Sequence, residues 1–186
     1  MTYNAVLTEG KDRFEKTLEH LRDQLRRIRT GRATTALVDN VRVDYYGTPT
    51  PVSQLAAVSI PEPRQILIKP FDPSILKELS RAILQTDLGS APQDDGKVLR
   101  LILPPLSGEQ RQKYAAKVKE MCEEARIALR NTRRDLNKHS DTLKKGGEVT
   151  EDENKKLHDE IQNLLKTYEG KVDEAMKAKV TEIEEV

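Results

Sequence analysis

The chain has 186 residues, of which 34% are charged, 36% hydrophobic and 4% aromatic, with no Trp and a net charge of +1. That balance does not support one large compact core and suits long, solvated helices with narrow apolar seams. One cysteine excludes an internal disulfide framework and fits a reducing cytosol, and no apolar run approaches the ~18 residues of a membrane span.

The opening stretch, MTYNAVLTEGKDRFEK, lacks the apolar core of a signal peptide, and its acids Glu9, Asp12 and Glu15 argue against a transit peptide. Residues 11–29 place Phe14, Leu18, Leu21, Leu25 and Ile28 at intervals of four and three, the seam of a helix packed on other helices. Thr30-Gly31 reads as a stop, because glycine readily takes the left-handed conformation that ends helices.

The period changes over residues 36–104. Val41, Val43 and Tyr45 alternate with Arg42 and Asp44, which predicts a half-buried strand. GTPTP (47–51) reads as turn material, since proline cannot donate to a central ladder. QILIK (65–69) predicts a second strand. Pro73 to Leu88 predicts a helix with Ile75, Leu76, Leu79, Ile83 and Leu84 on one side, stopped by Gly89. VLRLIL (98–103) is a third strand, broken by Pro104-Pro105.

Helical spacing returns over 107–145, with Tyr114, Val118, Met121, Cys122, Ala125, Leu129, Thr132, Leu136, His139 and Leu143 in one stripe. Ser107 and Gln110 have capping-box spacing, and so do Thr150 and Glu153 beyond the Gly146-Gly147 turn. A last helix carries Leu157, Ile161, Leu164, Leu165, Tyr168, Val172, Ala175, Met176 and Ile183.

The first helix cannot bury its seam alone, and an isolated helix is marginal in water. Its partners must be the two C-terminal helices, which a short turn makes antiparallel neighbours. The fold class is therefore α+β: an elongated three-helix bundle (1–30 plus 105–186) with a small β/α/β domain (31–104) inserted into it. The two chain crossings, Thr30-Gly31 and Pro104-Pro105, form a hinge with few residues in it.

The near-neutral total conceals an asymmetry. Arg111–Lys145 holds eleven Lys/Arg against five Asp/Glu, and Lys11–Arg32 holds eight against four. Glu148–Val186 holds six against twelve. Arg126, Arg130, Arg133 and Arg134 fall along one helical stripe, extended by Lys119 and Lys138, and Arg22, Arg26 and Arg29 repeat the spacing on the first helix. Arginine forks suit phosphate oxygens, and a basic ridge without an aromatic platform points to backbone-read structured RNA. The rival reading is a solvated face, or one paired with acids of the last helix. The dipole accounts for Arg26, Arg27 and Arg29 but not for the mid-helix cluster.

Sites of chemistry are absent. His20, His139 and His158 have no metal-ligand spacing. Cys122 lies on an apolar stripe and reads as a small buried hydrophobe. Asp94-Asp95-Gly96 reads as a turn. No Gly-rich phosphate loop or nucleophile–base pair is visible, so no enzyme, cofactor or metal is expected.

The motifs IRTGRA (28–33), YYGTPTP (45–51) followed by QLA (54–56), TDLG (86–89), LPPL (103–106) and LRNTRRD (129–135) stand in the order and spacing of a known family. Over its whole length the chain resembles bacterial ribosome recycling factor. That resemblance implies an L-shaped, tRNA-like molecule in the cytoplasm, expected to be a monomer. It implies a factor, not an enzyme, that acts after termination with elongation factor G and GTP to split the ribosome into subunits, so that ribosomes, mRNA and tRNA are recycled. It implies contacts to large-subunit rRNA by Arg133, Arg130, Arg29 and Arg32, with Arg134 and Arg126 on the same stripe. Thr30, Gly31, Pro104 and Pro105 match its interdomain hinge. The chain departs from the family where Thr35 replaces the usual proline after TGRA, where SGEQRQK dilutes a basic run, and where Ala91-Pro92 replaces Asn-Pro. A structural adaptor recruiting a further helix and a general RNA-binding chaperone remain as alternative readings.

Overall fold

The computed structural model describes residues 3–185. The chain divides into two compact units, the first running through Leu25 and resuming at Ala115–Thr181, the second comprising Arg26–Tyr114 and the residues from Glu182.

The first unit is a bundle built from α1 (Tyr3–Arg26), α4 (Gly108–Lys145) and α5 (Glu151–Glu184). Its seam is the one the spacing predicts. Phe14, Leu18 and Leu21 of α1, Val118, Cys122, Leu129 and Leu136 of α4, and Leu157, Ile161 and Val172 of α5 are fully buried. Phe14 stacks on Tyr168 with ring centroids 5.5 Å apart. Burial is the first cause that pushes the Tyr168 hydroxyl up to about 12, and the hydrogen bond it donates to Glu15 (2.7 Å) is the second. Helix α1 begins well before Lys11, because Val6 and Gly10 extend the seam upstream. A Cβ on Gly10 would lie 2.9 Å from Leu136 Cδ1, so this glycine serves close approach of α1 to α4.

Both predicted capping boxes are present. Ser107 N donates to Gln110 Oε1 (3.1 Å) and Gln110 N to Ser107 Oγ (3.2 Å). Thr150 N donates to Glu153 Oε2 (2.7 Å) and Glu153 N to Thr150 Oγ1 (3.2 Å). Between the helices, Gly147 takes φ 75 and Glu148 N reaches back to Leu143 O (2.9 Å), closing the end of α4.

The second unit holds a hairpin of β1 (Arg42–Tyr45) and β2 (Thr48–Pro51). A short helical turn α2 (Val52–Leu55) leads into a four-stranded antiparallel sheet in the order β3-β4-β6-β5. Its strands are β3 (Ala56–Glu62), β4 (Gln65–Pro70), β5 (Gln93–Asp94) and β6 (Leu99–Ile102), with α3 (Leu76–Leu84) between β4 and β5. Ile66 opposite Leu101 and Ile68 opposite Leu99 join Val43, Leu79 and Ile83 in one core.

Four expectations from the sequence are corrected by the fold. GTPTP is a strand, because a two-stranded hairpin leaves edge positions where a missing N–H costs nothing; Pro49 and Pro51 stand opposite Asp44 and Arg42. Strand β3 is a further element, not predicted because AAVSIPE lacks clean alternation. The helix predicted from Pro73 opens with a 3-10 turn (Pro73–Ile75) and ends at Leu84, which is 60% exposed and not on the buried side. Helix α1 stops at Arg26, so Gly31, although left-handed at φ 84, bends the segment after the helix and does not cap it.

Candidate nucleic-acid interface

Helix α4 has three longitudinal faces, set by its 3.6-residue period. One, through Val118, Cys122, Ala125, Leu129, Thr132 and Leu136, is buried. The next carries Arg126, Arg130 and Arg133 toward α5. The outer face carries Ile127, Asn131, Arg134 and Lys138, all exposed.

The four arginines of the predicted stripe therefore have different environments. Arg126 pairs with Glu123 (3.1 Å) and with Asp173 of α5, touches Met176 Sδ (3.8 Å), and keeps only 17% of its side chain exposed. The Asp173 hydrogen bond is the main cause that raises its already high pKa. Arg130 Nε donates to Glu169 Oε1 (3.1 Å), and its Nη1 lies 3.5 Å from Glu123. Arg133 Nη1 donates to Gln162 Oε1 (3.0 Å), while its Nε is buried without a partner. Arg134 is exposed, with no hydrogen-bond or ion-pair partner among the described residues. Pairing with acids of the last helix thus holds for Arg126 and Arg130 and fails for Arg133 and Arg134. Asp173, Glu169 and Gln162 were not singled out in the sequence. The signal that could have found them is antiparallel register, since they stand roughly as far beyond the Gly147 turn as their arginines stand before it.

In the second unit, Arg29 is drawn inward. Its Nη2 donates to Pro104 O (3.4 Å), its Nε is buried without a partner, and its guanidinium lies where a Cβ on Gly89 would sit, 2.6 Å from Nη1. Gly89, at φ 73, accommodates that guanidinium and does not end α3. Arg32 is exposed, with no partner among the described residues. Thr30, 2% exposed, donates to Glu182 Oε1 (2.9 Å), and Arg111 Nη1 donates to Glu184 O (3.1 Å). These bonds explain why the compact unit includes residues on both sides of 31–104.

Among the described residues no group of three or more His, Cys, Asp or Glu could hold a metal, and no helix is long and apolar enough to cross a membrane. Cys122 is buried, and burial is the main cause that pushes its thiol up, away from reactivity.

Comparison with known proteins identifies the family. The family model described as ribosome recycling factor matches residues 21–183. The ribosome-recycling factor of Geobacillus kaustophilus is 44% identical over 181 residues, covering 97% of this chain and 98% of that protein. The one from Pelobacter propionicus is 45% identical over 182 residues, covering 98% of each. A solution structure of ribosome recycling factor superposes with a TM-score of 0.78 at 32% identity, covering 99% of this chain and 98% of that one. A second neighbour, with a TM-score of 0.69 at 36% identity and covering 98% of this chain and 99% of its own, is described as models of the T. thermophilus ribosome recycling factor and E. coli elongation factor G bound to the E. coli post-termination complex. On the match along its length and on the fold of both units, the chain belongs to the ribosome recycling factor family.

Proposed function

We propose that this chain is a cytoplasmic translation factor that binds the post-termination ribosome through large-subunit rRNA. With elongation factor G and GTP it splits that ribosome into subunits. It catalyses no reaction itself; the GTPase is the partner. Family membership supports this, together with the neighbour described on the post-termination complex beside elongation factor G. The observation that carries it is the cationic outer face of α4, where Arg134 and Lys138 are exposed and Arg134 has no partner among the described residues.

The proposed rRNA contacts are Arg133, Arg134 and Arg32, with Arg130 able to exchange an exposed carboxylate for a phosphate. Arg126 and Arg29 act from behind, as charges held in place by their own neighbours. Release of counterions from the RNA supplies affinity, so binding falls steeply with salt. We also assign residues 31–104 as the part that the partner displaces and Thr30, Gly31, Pro104 and Pro105 as the hinge. Gly31 supports this, because its positive φ is a conformation that side chains resist and that a short connector needs.

The test is light scattering of purified post-termination ribosomes on adding this protein, elongation factor G and GTP. A fall in scattering that requires all three is expected. No change, with folded protein and a matched partner, would overturn the splitting role and return the arginine surface to a general RNA-binding one.

A further inference from the structure

We propose that the tip of the β1–β2 hairpin is a docking surface for a basic, Lys/Arg-rich segment of a protein partner, formed by Tyr46 and Phe71 with the carboxylates of Asp44 and Asp72. It is separate from the arginine surface and takes ligands of opposite charge.

The argument starts from the turn. Tyr46 and Gly47 connect the strands with φ 50 and 83, both positive. A two-residue turn of this kind favours Asn, Asp or Gly at its first position, and a bulky side chain there is sterically disfavoured. The ring does not compensate by being buried. Tyr46 is 79% exposed and Phe71 is 70% exposed, the highest values among the large hydrophobic side chains of the described residues. The two sites are held together, since Tyr46 OH donates to Asp72 Oδ2 (3.4 Å), next in chain to Phe71, and the Tyr46 ring sits edge-on to Tyr45 at 4.7 Å. The fold therefore displays this ring at a position that disfavours it, tied down by one long hydrogen bond and one edge contact, with most of its surface left open to a partner.

The charge around the rings selects the partner. Asp44 Oδ1 accepts from Gly47 N (2.8 Å), and Asp72 Oδ1 accepts from Ser74 N (2.9 Å). The Ser74 bonds, ahead of the Tyr46 bond, hold the Asp72 carboxyl below the usual carboxylate range. Neither carboxylate has an ion-pair partner among the described residues. Arg42 and Arg81 line a neighbouring groove with Asp44 and Glu78, where Glu78 holds Arg81 at 3.4 Å. Two fixed carboxylates within two residues of two exposed rings suit a guanidinium or ammonium group, which stacks on a ring while its charge is balanced. The same carboxylates repel phosphates, so RNA is disfavoured here.

The test uses the full-length, 15N-labelled protein titrated with a synthetic peptide of alternating Arg and Gly, read by amide shifts. Shifts concentrated at residues 44–48 and 71–74 are expected. Tyr46→Gly suits the left-handed turn and leaves the amides of Ile66 and Leu101 in place; it should weaken the peptide about three- to tenfold, the scale of one cation–π interaction. Asp72→Asn should weaken it less. Shifts confined to the acidic helix α5, a Tyr46→Gly titration equal to that of the unmodified chain, or tip shifts produced by oligouridylate in place of the peptide would each overturn the proposal. None of these outcomes depends on ribosome splitting.

Discussion

The two units expose opposite things. In the helical unit the aromatic rings are inside, Phe14 stacked on Tyr168, and the outer face of α4 is cationic. In the sheet unit the charges are mixed and two rings stand outside, Tyr46 and Phe71, while Tyr45 packs on the core. The physical reason lies in the elements. A long helix in a three-helix bundle has one apolar stripe to hide, and the rest of its circumference is left to charge. A two-stranded hairpin cannot bury both faces, so what stands at its turn is free of packing constraints. The helical unit thus turns charge outward, and the sheet unit turns two aromatic rings outward.

The largest effect should come from the bundle core. Leu129→Ala, at a fully buried position, should cost about 3 kcal/mol in urea unfolding followed by helix circular dichroism. A loss below ~1 kcal/mol would mean that the seam is looser than its burial implies. Next, Arg133→Glu with Arg134→Glu should weaken ribosome binding on the order of tenfold and lower the log–log salt slope by about one for each phosphate no longer neutralised, while the melting curve stays nearly in place. A collapse in melting instead would make Arg133 a bundle strut, held through Gln162.

Arg126→Ala should show the reverse pattern. Its pairs with Glu123 and Asp173 are partly exposed, so stability should fall by about 1 kcal/mol or less, with little change in the salt slope. A smaller, opposite effect is expected at Thr35→Pro in the second unit. Thr34 is extended (φ −135, ψ 148), as a residue before proline prefers, and Thr35 opens a 3-10 turn in which its own N–H donates no backbone hydrogen bond. Stability to heat should rise by roughly 0.5 kcal/mol. Gly31→Pro is the contrasting case, since φ 84 is out of reach for proline and the substitution would break the connector rather than stiffen it.

The smallest effect concerns pH. Thr150 hydrogen bonds hold the Glu153 carboxyl below its ordinary value of 4.5. A lowered carboxylate contributes stability above its unfolded pKa and loses it as the pH falls through the folded one. Glu153→Gln should therefore show a shallower loss of helix stability below pH 4.5 than the unmodified chain, by acid titration of the circular dichroism signal.

Much of the helical unit was legible because its information is local. The spacing of Phe14, Leu18 and Leu21 and the three-residue reach of both capping boxes are fixed by helix geometry alone, without knowledge of any neighbour. The sheet unit was less legible. The prolines of GTPTP and AAVSIPE argue against strands until it is known that one pairs in a two-stranded edge hairpin and the other lies at the margin of a four-stranded sheet. Residue types alone also could not separate the arginines of α4, which share one stripe and one chemistry.

The seam, the caps, the helical elements, the asymmetry of charge and the family are all written along the chain. Packing had to settle that Arg126 and Arg130 meet Asp173 and Glu169, that Arg29 is drawn against Gly89 and Pro104, and that Tyr46 stands outward at a left-handed turn. The reason is one of range. Periodicity and capping act within a few residues along the chain, whereas the partner of a long charged side chain depends on how far its helix is rotated about its axis against a neighbour many residues away, and only packing sets that rotation.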